Sequence, residues 1–157
     1  MWLIMRDAIG QVFALQVILA FVLLINGYMA YSVNYTRAFR VKNQIVNIIE
    51  QYEGPTDEAM AKIESYVDGM TYRVPQTLIN NFRNRYASNN SGDDVVNCQD
   101  GWCYIAHDVK TTGGDGEMNG TYYSVVTFVN IDIPVINNLI GLGDFLSVSG
   151  ETRTIYR

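Results

Sequence analysis

Two cysteines, Cys98 and Cys103, are the residues whose type and spacing most directly imply chemistry. They flank Gln99-Asp100-Gly101, a turn signal, and a hairpin there would bring their α-carbons within disulfide range. The sequence therefore predicts a disulfide that locks the turn, which implies an oxidising compartment outside the cytoplasmic membrane. The alternatives are two free thiols, or a metal site shared with His107 and Asp108, although the spacing matches no zinc pattern.

Catalytic groups are otherwise sparse. His107 is the only histidine, and the aspartate next to it would point to the opposite face of a strand, so adjacency does not make an acid/base pair. The glycine-rich loop Lys110 to Gly120 lacks the following helix of a phosphate-binding loop. Asp115 and Glu117 could contact calcium together with Asp100, but their spacing is not that of an EF-hand. We predict no enzymatic activity, no cofactor and no metal.

The segment from Ala8 to Thr36 contains no charged residue and includes an unbroken apolar run from Val17 to Ile25. As a helix it would reach about 43 Å, against about 30 Å of bilayer hydrocarbon. We predict that this segment enters a membrane, with the amides of Gln16 and Asn26 inside it. A secretory signal peptide, cleaved after Ser32, is the alternative.

The helical pattern does not stop at the end of the apolar segment. Apolar residues continue at spacings of three and four as far as Tyr52, at Val41, Ile45, Ile48 and Ile49. Gly54-Pro55 would end this pattern. We therefore predict one helix from about Ala8 to Tyr52, which is embedded in a membrane in its first half and amphipathic in its second.

A second, shorter helix is predicted directly after this break. Thr56 is the expected N-cap, Asp57 and Glu58 lie in the first turn, and Gly69 is the expected C-terminal cap. Its apolar face comprises Ala59, Ile63, Tyr66 and Val67. The next apolar residues, Leu78, Ile79, Phe82 and Tyr86, fit either a further helix or a turn-rich segment.

The period becomes strand-like after residue 94. Val95 to Cys98 and Trp102 to Val109 form a predicted hairpin, and Tyr122 to Ile133 is the strongest strand because β-branched and aromatic residues fill it. Val135 to Leu142 would make a short helix or irregular crossing, and Phe145 to Tyr156 a last strand. The prediction is an α+β fold: a long N-terminal membrane and stalk helix, a short helix, and an antiparallel sheet of three or four strands.

The charge of the chain bounds its partners and its orientation. A net charge of −5 and a pI near 4.7 argue against a nucleic-acid binder, which needs a basic surface. Arg37, Arg40 and Lys42 follow the apolar segment, and the positive-inside rule alone would place the rest of the chain in the cytoplasm. The predicted disulfide favours the opposite side. We expect an external head, with the three basic residues facing lipid headgroups or neighbouring subunits.

A short leader ending at Gly10-Gln11, an apolar helix that becomes amphipathic, and a small C-terminal sheet together resemble the type IV pilin and pseudopilin superfamily. The C-terminal pattern of a β-rich segment, a proline, Leu-Ile-Gly-Leu-Gly and a strand from Leu146 to Arg153 is similar to TadE-like pseudopilins of tight-adherence pilus systems. The resemblance implies a leader at residues 1–10 cut between Gly10 and Gln11, a membrane and stalk helix at 11–53, and an extracytoplasmic head at 54–157.

The resemblance also implies how the subunit would assemble. Such helices pack into a filament, here through Gln16, Asn26 and Gly27. The family usually has a glutamate at the fifth position after the cut, where this chain has Leu15; Gln16 can bond between helices but cannot form a charge pair. We expect a structural subunit at the cell surface, with the lipid bilayer, pilin-like subunits or copies of itself, and a leader peptidase as partners. The alternative is a single-pass anchored ligand-binding or sensor module.

Overall fold

The computed structural model describes residues 2–70, 72–89, 95–113, 116–130 and 146–156. The chain forms an α+β fold in which a long N-terminal helix precedes two short helices and a small antiparallel sheet, as predicted. In chain order the elements are α1 (Trp2–Gln51), α2 (Asp57–Gly69), α3 (Gln76–Asn89), β1 (Val96–Gln99), β2 (Trp102–Gly113), β3 (Gly116–Phe128), β4 (Ser147–Glu151) and β5 (Ile155–Tyr156).

Helix α1 is one uninterrupted element of 50 residues, which corresponds to about 75 Å. It begins before the predicted start and ends at Gln51, one residue before Tyr52. Glu53 and Gly54 have φ angles of 54° and 139°, and the Gly54 N–H donates to the Ile49 carbonyl at 2.9 Å. This left-handed pair satisfies a terminal carbonyl and turns the chain away, so the predicted break at Gly54-Pro55 is confirmed.

Helix α2 begins as predicted and ends differently. The Thr56 hydroxyl accepts from the Ala59 N–H at 3.3 Å, and Asp57 and Glu58 occupy the first turn. The prediction that Gly69 caps the helix is wrong: Gly69 is its last residue, and Met70 is the cap, with φ −82°. Met70 stays in the right-handed region and donates to the Tyr66 carbonyl, so no glycine is required there.

The sheet is antiparallel, with neighbours in the order β1, β2, β3, β4, and β5 also pairs with β3. The predicted β1–β2 hairpin is confirmed, with Gln99 opposite Trp102 and a two-residue turn at Asp100 and Gly101. Gly101 has a φ of 92°, which an L side chain rarely adopts. This glycine therefore fixes the turn that brings the two cysteines opposite each other.

The prediction of a glycine-rich loop from Lys110 to Gly120 is wrong. The β2–β3 pairing continues from Lys110 opposite Asn119 to Gly113 opposite Gly116. Backbone hydrogen bonds make this ladder without any apolar pattern, which is why the sequence did not show it. Residues 114 and 115 lie outside the described part, and so does the proposed calcium ligand Asp115.

The predicted boundaries of the later strands also change. Strand β3 ends at Phe128, and residues 131–145, which include the predicted Val135 to Leu142 crossing, lie outside the described part. The single last strand predicted from Phe145 is instead β4 and β5. Between them Thr152 accepts from the Tyr123 N–H through its hydroxyl at 2.9 Å and donates its own N–H to the Tyr123 carbonyl at 3.0 Å. The described sheet therefore has five strands instead of three or four.

The sheet lies between two helical layers. On one face, α1 and α2 pack on β2 and β3, and the buried residues of this core are Val41, Ile45, Ile48, Ile49, Ala59, Ile63, Val67, Trp102, Tyr123 and Val125. On the other face, Leu78 and Ile79 of α3 pack on Cys103, Val126 and Phe128. The segment around Leu78 and Ile79, for which the sequence allowed either a helix or turns, is therefore helix α3. We call the sheet, α2, α3 and the part of α1 packed on them the head.

Candidate functional site

The first half of α1 projects from the head and exposes an apolar surface. From Gly10 to Met29 every residue except Gly27 is exposed, and Phe13 and Leu24 expose 68% and 70% of their surface. By length and composition, the described part of this helix can cross a membrane. Soluble monomers rarely leave a continuous apolar surface this large in water.

The three polar or small residues predicted to pack helices differ in their surroundings. The Asn26 amide donates to the Val22 carbonyl at 2.9 Å, within its own helix. The exposed side chain of Gln16 forms no hydrogen bond with a described residue. Gln16, Gly27 and Ala38 are spaced by eleven residues, close to three helical turns, so they lie along one face of α1. Ala38 on that face is fully buried against the head.

The predicted cleavage position lies inside the helix. Gly10 and Gln11 are both exposed, and apart from the adjacent residues and the backbone of the helix itself, no described atom lies within 4 Å of the place where a Gly10 Cβ would be. The surface around this peptide bond is therefore open. Cleavage at this bond stays a prediction.

The second half of α1 is tied to the sheet by side-chain contacts as well as by its apolar face. The buried Thr127 hydroxyl lies 3.0 Å from the Ala38 carbonyl and 3.3 Å from the Val148 carbonyl, and its proton is shared between them. Near the other end, the Glu50 carboxylate accepts from the Arg153 N–H at 2.7 Å. Strand β4 and the residues after it therefore run alongside α1 in the same direction.

Lys42 does not face outward as expected. Only 9% of its surface is exposed, and its side chain passes Gly150, where a Cβ would lie 2.8 Å from both Cδ and Nζ. Its Nζ sits 4.4 Å from the centroid of the Phe39 ring, a cation–π contact. Arg37 and Arg40 are exposed. Of the three cations after the apolar segment, the head encloses one and leaves two at the surface.

Aromatic rings form a ladder along α1 where the helix meets the head. Tyr31 and Tyr35 have ring centroids 5.9 Å apart, and Tyr35 and Phe39 are stacked at 6.4 Å. Tyr28, one turn before Tyr31, exposes 69% of its surface. The ladder leads from the apolar segment to the ammonium group of Lys42.

Tyr72, in the segment between α2 and α3, connects that segment to the end of β3. Its hydroxyl donates to the Phe128 carbonyl and accepts from the Phe128 N–H at 2.8 Å. Burial raises the pKa of the Tyr72 phenol well above its ordinary range, although the bond to Phe128 opposes this. Burial, and then the neighbouring Tyr123, also raise the pKa of Tyr104. Sequence patterns did not single out Tyr72, because it belongs to no helix or strand.

The predicted disulfide is present between Cys98 and Cys103, whose α-carbons are 4.0 Å apart. The two residues are direct partners across β1 and β2. Both pack in the core beneath α3, where Cys103 is fully buried. The bridge therefore fastens the edge strand β1 to the sheet.

The remaining candidate residues do not come together as a catalytic or metal site. His107 stacks on Tyr122 with ring centroids 4.8 Å apart, whereas Asp108 accepts from the Thr121 hydroxyl at 2.9 Å. Asp100 accepts from the Gln76 amide at 3.0 Å. Within the described ranges, no three His, Cys, Asp or Glu residues are grouped to hold a metal ion.

The described surface of the head includes a cleft and an open groove. A cleft of about 160 Å³ between α2 and the β1–β2 hairpin is lined by Met60, Glu64, Val67, Asp68, Gln99, Asp100 and Trp102. An open groove of about 480 Å³ beside α3 is lined by Phe82, Tyr86, Ile105, His107, Ser124, Val126, Ser149, Gly150 and Glu151. Comparison of the chain with protein-family models, with curated proteins and with solved structures finds no match in any of the three.

Proposed function

We propose that this chain is a membrane-anchored, TadE-like pseudopilin, that is, a structural subunit of a cell-surface pilus or secretion apparatus without catalytic activity. The observation that supports this proposal most strongly is the continuity of α1. One helix is exposed from Gly10 to Met29 except at Gly27, with a predominantly apolar surface, and is fully buried in the head at Ala38, Val41, Ile45 and Ile49.

A single helix shared by the span and the head fixes the position of one relative to the other. A simple anchor needs only a span and a linker, and flexible linkers are the usual connection between such units. Here the head cannot tilt without bending a helix whose far half supplies its own core. A subunit that stacks lengthwise on its neighbours requires such a fixed relation, because each head must meet the next in register.

The apolar segment also offers a place for a second helix. An amide in hydrocarbon costs free energy unless it is hydrogen-bonded, and Gln16 has no partner among the described residues. Gly27, on the same face, allows two helix backbones to approach closely. The head covers this face at Ala38, and Tyr31 already packs against the head. A partner helix bound at Gln16 must therefore end before it reaches the head, or belong to a subunit that is displaced along the axis of α1.

The test is the intact mass and N-terminal sequence of the protein from cells, together with the Gln16→Leu variant. We expect the mature chain to begin at Gln11, and Gln16→Leu to reduce chemically cross-linked assemblies without reducing membrane insertion. Leu15→Ile is the matched control, because it changes a neighbouring residue and keeps the segment apolar. An intact Met1 together with unchanged assembly in Gln16→Leu would refute the proposal.

The side of the membrane is tested by thiol labelling with an impermeant reagent in intact cells. With an external head, Cys98 and Cys103 react only after an added reductant opens their bridge. Labelling that requires lysis but no reductant would place the head in the cytoplasm.

An anchored ligand-binding or sensor module is the second candidate. The open groove beside α3 favours it, since aromatic side chains and His107 line one concave surface. For this function we expect the protein from cells to begin at Met1, and Gln16→Leu to leave ligand binding unchanged. This function also predicts that Ser149→Trp, which fills the groove, abolishes ligand binding while the chain remains folded in the membrane.

A further inference from the structure

We propose that the part of α1 from Tyr28 to Arg40 is a lipid-headgroup interface that seats the head directly on the membrane surface, with Arg37 and Arg40 binding lipid phosphates. This inference rests on the membrane insertion in the proposed function. It does not depend on filament assembly.

The length of the exposed apolar segment sets the depth of the helix. Gly10 to Ala30 spans about 31 Å as a helix, and the hydrocarbon of a bilayer is about 30 Å thick. Tyr31, the next residue, already packs on the cluster of Ala38, Val129 and Val148. We call the end of the head that carries this cluster its lower end. No free length of helix therefore separates the hydrocarbon boundary from the head.

The aromatic ladder lies at this boundary. Tyrosine has an apolar ring and a polar hydroxyl, and it is enriched where hydrocarbon meets the headgroups. Tyr28, Tyr31 and Tyr35 place three such rings within about 11 Å along the axis, and the contact of Tyr31 with Tyr35 keeps two of them side by side. The ladder would resist movement of the helix in either direction, because each tyrosine would lose one of its two environments.

Arg37 and Arg40 provide the charge that recognises phosphate. Both are exposed, and neither forms an ion pair with a described residue. They lie about 10 and 15 Å beyond Ala30, and helical side chains slope toward the N-terminus, here toward the membrane. Lys42 cannot share this role, because its ammonium is enclosed between Phe39 and Gly150.

The arrangement around the helix favours lipid over a protein partner. At 100° per residue, Arg37 and Arg40 lie on the side of α1 opposite the tyrosine ladder. The head covers the face that carries Ala38, which lies between the arginine side and the tyrosine side. A protein partner would cover only one of these two sides. Lipid headgroups surround the helix at this level and meet both.

Depth is measured with tryptophan reporters in the full chain, reconstituted in phosphatidylcholine vesicles. Trp2→Phe removes a background signal, and Tyr35→Trp and Leu24→Trp are compared with this parent. We expect Tyr35→Trp to be quenched more by lipid brominated near the headgroup, and Leu24→Trp more by lipid brominated deep in the acyl chain. Quenching of the Leu24→Trp reporter without quenching of the Tyr35→Trp reporter would overturn this inference alone. If neither is quenched, membrane insertion itself is refuted.

Charge recognition is measured with the Tyr35→Trp reporter by comparing brominated phosphatidylglycerol with brominated phosphatidylcholine. At low salt we expect a preference for the anionic lipid of about fivefold or more, which follows from roughly 1 kcal/mol per cation near the surface. Arg37→Gln with Arg40→Gln should abolish the preference. The control, Lys62→Gln with Lys110→Gln, removes two exposed charges distant from the lower end of the head and should preserve it. Equal quenching of the Tyr35→Trp reporter by the two lipids, or a preference unchanged by the arginine substitutions, would refute phosphate binding.

Discussion

At the scale of single residues, the packing of α1 on the head depends on Lys42, whose side chain fits against Gly150 only because glycine has no Cβ. The Lys42 side chain occupies the space where any Cβ at position 150 would lie. The aliphatic part of lysine packs like an apolar chain, and the ammonium of Lys42 lies over the ring of Phe39. Gly150 is thus required by close approach and not by an unusual backbone angle.

Substitution of Gly150 tests this packing. We expect Gly150→Val to lower the free energy of unfolding by about 2 kcal/mol, because Lys42 must leave a buried position. The measurement is denaturant unfolding of the full chain in detergent. In a Lys42→Ala background the same substitution should cost less, since the two residues are coupled. Gly69→Ala is the control: a Cβ there would meet no described atom outside the adjacent residues and the local helix backbone, and a helical alanine should be neutral or slightly stabilising. Equal costs of Gly150→Val in both backgrounds would contradict the contact.

Tyr72 gives the second prediction at this scale. Tyr72→Phe leaves the Phe128 N–H without the acceptor it has now, so we expect a loss of about 1–3 kcal/mol. The pKa of the Tyr72 phenol is raised in the folded state, so its contribution is complete below the ordinary pKa of 10.0 and is lost as the pH rises above it. Unfolding measured between pH 8 and about 11 should show a smaller alkaline loss in Tyr72→Phe than in the parent. An equal loss in both would assign the effect to other tyrosines, such as Tyr104.

At the scale of elements, short sequence patterns correctly predicted those helices and turns that are determined by interactions between residues close in sequence. Spacings of three and four gave α1, the Thr56 cap gave the start of α2, and Asp100-Gly101 gave the β1–β2 turn. The missed features arise from backbone pairing between distant segments. The ladder beyond Lys110 has no apolar alternation, and the break at Thr152 depends on hydrogen bonds to Tyr123, a residue of another strand. The enclosure of Lys42 likewise depends on β4, which a helical periodicity cannot reveal.

The disulfide makes a prediction for the β1–β2 element. It closes a short loop, with a sequence separation of 5, and chain-entropy reasoning gives it about 2 kcal/mol. Cys98→Ser with Cys103→Ser should therefore lower stability modestly and loosen β1, while α1 remains packed on β3 and β4. Hydrogen exchange measures both effects: protection should fall in Val96–Gln99 and persist in Val41–Ile49. Loss of protection throughout the head would show that the bridge supports the whole sheet.

At the scale of the whole molecule, the exposed and the buried halves of α1 have different partners but one backbone. The head ends on the side of the exposed half of α1 at Ala38, Val129 and Val148, while the β2–β3 hairpin extends to Gly113 and Gly116 at the opposite end. Any force or displacement applied to the exposed half of α1 therefore reaches the head through continuous helical hydrogen bonds. This stiffness distinguishes a stacking subunit from a tethered module, which functions as well on a flexible connection.

Breaking the helix between its two halves tests that distinction. Val33 is 53% exposed and lies between the apolar segment and Ala38, which is fully buried in the head. Val33→Pro removes one backbone hydrogen bond and kinks the helix at a cost of about 3 kcal/mol, without altering the head or the apolar segment. We expect membrane flotation and disulfide formation to persist while cross-linked assemblies disappear. Val33→Ala keeps the helix straight and should assemble normally. If Val33→Pro assembles like the parent, the head does not need a rigid connection to its span, and the anchored binding module becomes the better account of this chain.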